Sequence, residues 1–318
     1  MVYPPLLHPG DNVAIVAPAG PPDPARLARG VRVLESLGLH CHVMESCRAM
    51  VNQAQNENQS PRPSQLNTTA PVATPLYLSA PDALRTHDLL SAFANPCIRA
   101  IFCARGGYGT QRLLPLLDFD LIQRNPKIFA GYSDITALHI AFNQRCNLVT
   151  YHAPMIAADF GGDGFSESEA DKITLQSFQS ALFNRNPINI ASPFFMPLTQ
   201  TQSTSATPVL PPHPVIGGNL SIVAASLGTP YEIDTHNCIL FLEEINEPPY
   251  RIDRMLTQLQ LAGKLDGAAG FLFGDFSPLT SADLANLLAS IKIPPGKPIS
   301  MGFPGGHTSP NITLQLGG

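Results

Sequence analysis

Three residues of this 318-residue chain have the types, order and settings that acyl transfer needs: Ser133, Glu243 and His307. Ser133 lies in Gly131-Tyr132-Ser133-Asp134. An apolar run precedes it, and a stretch apolar at Ile135, Leu138, Ile140, Ala141 and Phe142 follows. That pattern predicts a buried strand, a sharp turn and a half-buried helix. A Ser on such a turn has its hydroxyl pushed out at the end of a sheet. The first free N–H groups of the helix lie beside it, ready to hold a developing oxyanion. The logic is that of a nucleophile elbow, although the G-x-S-x-G string is absent. A plain helix N-cap is the competing reading, and on these four residues alone it is the commoner use of Ser. A serine nucleophile needs a base, and the base needs an acid to set its tautomer. His307 sits in the Gly-rich loop Gly305-Gly306-His307, which can present an imidazole without covering it. His152, at a strand end, is the second candidate base; His139, on the Ser helix, reads as core or surface filling. Glu243 and Glu244 end an apolar strand and point to opposite faces. One of them serves a given site, and the other is left for solvent or a substrate amine.

Holding these groups together takes an α/β framework. Apolar strands are predicted at 13–17, 39–44, 98–103, 127–130 and 148–154, with helices at 25–37, 80–94, 111–117, 135–142 and 170–183. The alternation implies a parallel sheet. The strand at 98–103 runs into Arg105-Gly106-Gly107-Tyr108-Gly109-Thr110. Glycines at a strand-to-helix junction let backbone approach a ligand and leave helix N–H groups for an anion. This is not G-x-G-x-x-G, because the third glycine position counted from Gly107 is Arg112, so dinucleotide binding is only weakly supported. A second alternation follows, with strands at 215–220, 238–242, 268–273 and 298–301 and helices at 221–227, 250–262 and 281–291. Two polar stretches without periodicity interrupt the chain, an insertion at 47–75 and a segment at 184–214. The predicted division is a domain at 1–183 carrying the Ser, a linker at 184–214, and a domain at 215–318 carrying the Glu and His. In each case the residue follows a strand, where α/β sites form.

Composition excludes several function classes. The net charge is −5 and no basic run occurs, so nucleic acid is not an expected partner. No apolar segment approaches the roughly 20 residues of a membrane span. The N-terminus lacks the charged region of a signal peptide, and the six cysteines are scattered without a C-x-x-C pair, so a reducing cytoplasm is expected. His40 and His42 alternate on one strand, but no further ligands stand at metal-like spacing.

The chain resembles the LD-carboxypeptidase family of serine peptidases, which includes the microcin-immunity peptidases. The matching pieces are GDNVAIVAPAG at 10–20, ARGGYGTQRLLPLLD at 104–118, GYSDITALH at 131–139, GGNLSIVAASLGTPYEID at 217–234, LFLEEINEPPYRIDRMLTQLQLAGKLDG at 240–267, GDF at 274–276 and GHTSPNITLQLG at 306–317. The resemblance implies a Rossmann-like N-terminal domain with a parallel sheet and a smaller β-rich α/β C-terminal domain, with the active site between them. It implies a Ser133, Glu243 and His307 triad, with an oxyanion hole from the backbone N–H groups of Asp134 and the Gly106-Gly107 loop. Three departures touch pocket shape: Gly305 stands where the family often has a bulky residue, the chain closes Leu-Gln-Leu-Gly rather than Leu-Pro-Leu-Gly, and the 47–75 segment is long. The implied reaction removes the terminal D-Ala of a murein tetrapeptide in cytoplasmic cell-wall recycling, by a homodimer that needs no metal or cofactor. Arg105 is a candidate clamp for the substrate carboxylate, and Glu244 a candidate partner for the amine of a diamino acid. The alternatives are cleavage of a peptidyl-nucleotide antibiotic and a catalytically silent muropeptide-binding protein.

Overall fold

The computed structural model describes residues 1–49, 74–165, 168–184, 196–197, 213–291 and 293–318. Most of the two polar stretches predicted at 47–75 and 184–214 lies outside them. The first half folds as β1 (Asn12–Val16), α1 (Pro24–Ser36), β2 (His40–Val43), α2 (Asp82–Ala94), β3 (Ile98–Cys103), α3 (Phe119–Arg124), β4 (Ile128–Gly131), α4 (Thr136–Cys146), β5 (Thr150–His152) and α5 (Glu169–Phe183). The second half adds β6 (Met196–Pro197), β7 (Val215–Asn219), α6 (Leu220–Ser226), β8 (Ile239–Glu243), α7 (Pro249–Leu261), α8 (Lys264–Gly267), β9 (Gly270–Phe273), α9 (Ser281–Ser290), β10 (Ile299–Met301) and β11 (Leu314–Leu316).

The first sheet has the order β11-β5-β4-β3-β1-β2. Its five N-terminal strands are parallel. Such strands are covered on both faces, so they read as unbroken apolar runs. Successive side chains of β1 divide between the faces. Val13 and Ile15 join Leu27 and Leu34 of α1 and Phe178 of α5 on one side; Ala14 and Val16 join Phe93 of α2 and Leu138 and Phe142 of α4 on the other. Each such fully buried branched or aromatic side chain stabilises the fold by about 1.5–3 kcal/mol. In the order 2-1-3-4-5, the chain leaves β1 toward one edge and returns on its other side at β3. The crevice at that reversal, outside the carboxyl ends of the strands, is where such sheets bind ligands.

The second sheet has the order β6-β10-β9-β8-β7, parallel except for β6. One face packs on α7 and α9 through Leu240, Leu242, Ile252, Leu256 and Leu284. Its other face, with Phe241 and Leu272, packs on Leu314 and Leu316 of β11. The C-terminal strand, which the sequence did not reveal, pairs antiparallel with β5 and so inserts the end of the chain into the first sheet. Asn219 N–H also donates to Thr136 Oγ1 on α4 (3.0 Å), a second tie between the sheets.

One predicted element is absent. Residues 111–117 are not a helix but two 3-10 turns, Thr110–Arg112 and Leu114–Leu116. Pro115 has no N–H to continue a helical ladder. The first true helix after the glycines is α3, capped by Asp118. The glycine loop therefore offers ligand contacts through its own backbone, not through a helix N-terminus.

Candidate active site

Ser133 leaves β4 in the left-handed region, with φ 64°. A non-glycine residue there costs energy and persists only where the surroundings enforce it. Tyr132 takes the position before the 3-10 turn Ser133–Ile135, and α4 starts at Thr136. Ser133 is thus no N-cap; its half-buried hydroxyl faces a cleft. The elbow geometry forms without the flanking glycines of G-x-S-x-G, because the space is made opposite it. A Cβ on Gly106 would lie 2.8 Å from Ser133 Cβ and 3.0 Å from its Oγ. Gly20 N–H donates to Gly106 O (3.1 Å), backing the glycine loop from behind. Asp134 is buried, and its carboxylate accepts from Thr110 N–H (2.9 Å) while Thr110 Oγ1 donates to Asp134 O (2.5 Å). Burial pushes its pKa up against those bonds.

The candidate base follows the other sheet. Glu243, the last residue of β8, is fully buried, and His307 Nδ1 lies 2.8 Å from its Oε2. Burial alone would lower the His307 pKa; the hydrogen bond and charge of Glu243, with the charges of Glu244 and Asp159, outweigh it, so the net shift is upward from 6.5. The His307 loop is closed by Asn311, whose side-chain oxygen accepts from Gly306 N–H (2.9 Å). Its amide reaches Asp159 Oδ1 (3.1 Å), and its N–H donates to Thr174 Oγ1 (2.9 Å), so the loop is fastened to α5 and to the segment after β5. The Tyr132 ring meets His307 edge to face, with centroids 4.9 Å apart. Asp159, half-buried, accepts from Met155 N–H (2.8 Å) and from Tyr132 OH (3.4 Å). Burial raises its pKa to about 6.

Ser133, His307, Arg105, Gly106 and Gly107 line one cleft of about 260 Å³, together with Asp23 and Arg26 of the α1 start. It opens at the reversal between β1 and β3. Arg105 Nη1 donates to Pro21 O (3.2 Å), and Arg26 Nη2 donates to Ala158 O (2.8 Å). Neither guanidinium forms an ion pair with a carboxylate among the described residues.

Other candidates are placed elsewhere. Glu244 is buried on the opposite face from Glu243, as the strand alternation requires. Its oxygens accept from Asn219 Nδ2 (3.0 Å), Ser221 N–H (2.8 Å), Ser221 Oγ (2.6 Å) and Ile245 N–H (2.9 Å). It is committed to the start of α6 and is not part of the cleft, contrary to the expectation that it meets a substrate amine. His152 is fully buried between the rings of Tyr132 and Phe241, and burial drives its pKa well down, so it is no base for Ser133. His139 is core, and its Nε2–H donates to Gly131 O (2.9 Å). His42 is bonded to Asn12 Oδ1 (2.8 Å). Sequence reasoning missed Tyr132, Asp159, Asn311 and Arg26. Asp159 carried a usable signal, an acid a few residues beyond a strand; Asn311 carried none.

Comparison with known proteins agrees with this architecture. The model of the LD-carboxypeptidase N-terminal domain matches residues 13–153, and that of the C-terminal domain matches 214–318. A probable murein peptide carboxypeptidase of Bacillus subtilis is 38% identical over 99% of this chain and 89% of its own length. An MccF-like protein of Bacillus anthracis superposes with a TM-score of 0.77 at 26% identity, covering 100% of this chain and 94% of that one. A muramoyltetrapeptide carboxypeptidase of Oxalobacter formigenes does so with 0.69 at 28% identity, covering 96% and 93%. The α/β fold with two parallel-rich sheets is that of a hydrolase, a serine-type peptidase. The chain belongs to the LD-carboxypeptidase family.

The contact between Gly106 and Ser133 gives a first prediction. Gly106→Ala is expected to lower kcat for release of a C-terminal residue by up to about 10²-fold, the loss that a misplacement of about 1 Å can cause. Its Tm should stay within a few degrees of wild type. A kcat within twofold of wild type would show that Ser133 tolerates the extra methyl.

Proposed function

We propose that this chain is a serine carboxypeptidase that releases the terminal D-Ala of murein tetrapeptide, at a bond between an L-centre and a D-residue, in the recycling of cell-wall fragments. One observation carries the reading: the imidazole held by buried Glu243 and the strained Ser133 open on the same cleft, each from a different sheet. The Bacillus subtilis relative, a probable murein peptide carboxypeptidase, supplies the substrate class.

In this reading His307 Nε2 takes the Ser133 proton while Glu243 holds Nδ1–H and stabilises the imidazolium. Ser133 Oγ attacks the carbonyl carbon. The oxyanion is received by the N–H groups of Gly107 and Asp134, one on the glycine loop and one just after the nucleophile. His307 then protonates the leaving amine, D-Ala departs, and water enters by the same base to release the acyl group. Arg105 clamps the terminal carboxylate, with Arg26 on the same wall. That clamp makes the enzyme act at chain ends, since an internal peptide has no carboxylate to offer. Arg105→Gln is therefore expected to raise KM about ten- to hundredfold, the worth of a charge-assisted bond, with kcat less affected. An unchanged KM would remove Arg105 from substrate recognition.

The deciding experiment measures D-Ala release from purified murein tetrapeptide by wild type and Ser133→Ala, with an L-Ala-ended peptide as control. Release by wild type alone, from the D-ended peptide alone, is the expected result. Turnover of a peptidyl-nucleotide instead would move the substrate to the immunity branch. Binding of muropeptide with no turnover would make the chain a binding protein.

A further inference from the structure

A fully buried arginine lies behind the glycine loop. Arg85, on α2, is 0% exposed. Its Nε donates to Ala80 O (3.0 Å), its Nη1 to Pro18 O and to Gly109 O (3.1 Å), and its Nη2 to Asp82 Oδ1. Asp82, nearer the surface, shares its carboxylate with exposed Arg112 (2.8 Å). Taking a guanidinium out of water is unfavourable, and an apolar side chain would fill the same volume more cheaply. What the guanidinium provides instead is geometry. One rigid fork joins the loop after β1, the segment before α2 and the loop after β3.

Two of those segments bear on the cleft. The loop after β1 includes Gly20, whose N–H holds Gly106 O. The loop after β3 runs from Gly106 to Gly109, and its far end is pinned twice. Arg85 holds Gly109 O from one side, and Asp134, the residue after Ser133, holds Thr110 N–H from the other. A Cβ on Gly109 would lie 2.5 Å from Leu78 Cδ2 and 2.9 Å from Arg85 Nη1, so a glycine there leaves room for both the leucine and the guanidinium. Gly107 lies between the two anchor points.

We propose that Arg85 is a positioning residue for the reaction, holding the Gly106–Gly109 loop so that the Gly107 N–H stands where the oxyanion forms. The inference rests on the reading of Gly107 as an oxyanion donor. A donor that must meet a transition state, not the ground state, raises kcat when well placed and leaves KM alone.

The test uses Arg85→Lys in the full chain. Lysine keeps the charge but has one nitrogen, which cannot span three segments. Expected are a fall in kcat of about ten- to hundredfold, KM within twofold, an acid limb of the pH profile that stays in place, and a cooperative thermal transition. Two further readouts do not depend on the substrate. The rate at which an alkyl fluorophosphonate labels Ser133 should fall by a similar factor, because its phosphoryl oxygen uses the same donors. Guanidinium chloride at millimolar concentration should restore part of the labelling rate in Arg85→Gly. If Arg85→Lys does not fold, Asp82→Asn, which loosens the same guanidinium, should show the kcat-only loss at smaller size. Unchanged kcat and labelling, or a loss that appears in KM alone, would overturn the proposal. Labelling of wild type without any D-Ala release would reject the substrate and leave the Arg85 comparison standing on labelling. Wild type inert to both would reject the oxyanion loop and Arg85's role together.

Discussion

Ser133→Ala is expected to lower D-Ala release by about 10⁴–10⁶-fold while leaving peptide binding and the fold intact. The size follows from the proposed chemistry: without the hydroxyl no acyl-enzyme would form, and what would remain is the cleft's hold on the substrate and the proposed oxyanion donors. The selectivity follows from the structure. Among the described residues the Ser133 hydroxyl makes no hydrogen bond that the fold depends on, and it looks into the cleft. Alanine keeps the Cβ that touches Gly106 and suffers the same left-handed backbone, at φ 64°, that serine does. Tm should therefore move by no more than a few degrees, and calorimetric titration with the tetrapeptide should give an affinity within a few-fold of the wild-type KM. Activity within tenfold of wild type would show that the nucleophile is elsewhere.

The strands of the first sheet were legible because parallel strands covered on both faces leave continuous apolar runs, as at 98–103, where expectation and structure coincide. β11 was not legible. Leu314, Gln315 and Leu316 alternate over too short a span, and their partner Thr150–His152 is more than 150 residues away in sequence. Pro115 was a local signal that outweighed the apolar pattern around it; reading it as a breaker would have replaced the helix at 111–117 by turns. The site divided in the same way. Ser133 and His307 were visible because turns and glycines mark places where a side chain can be presented. That Glu243 and not Glu244 faces the imidazole is implied by the family resemblance; alternation alone separates the two without saying which side the cleft is on. The structure decides it through register: Glu243 lies opposite Asn219 on β7, and only its side chain points to the loop after β10. Arg85 could not have been found at all, since a lone arginine on an amphipathic helix looks like a solvated one until the loops that fold over it are known.

Glu243→Gln should produce the second large loss, and its pH behaviour separates the role of charge from that of packing. The amide has the volume of the carboxyl group but no charge, and its NH₂ can donate to Nδ1, favouring the tautomer that cannot accept the Ser133 proton at Nε2. A fall in kcat of about 10³–10⁴-fold is expected on that ground. In the wild type the net upward shift of His307 comes from Glu243 overcoming burial. An imidazolium cannot act as base, so the acid limb of kcat/KM should have its midpoint above 6.5. With glutamine the burial effect stands with less opposition, and the midpoint should move to lower pH even though the rate is far smaller. Stability has its own sign. A histidine whose pKa is raised on folding contributes stability that is complete below its unfolded value near 6.5 and disappears as the pH rises through the raised one. The variant should therefore lose stability relative to wild type at pH 5.5, where the wild-type imidazole is charged. Once the pH has passed the raised His307 value the imidazole is neutral, and wild type is left with a buried carboxylate whose pKa burial pushes up. There the variant should be as stable as wild type or more so, since removing a buried charge relieves its desolvation. A variant with high Tm at pH 8, a downshifted acid limb and almost no turnover would show that Glu243 acts on His307 through its charge. An acid limb that stays put would mean that the imidazole takes its pKa from Asp159 and the rest of the cleft.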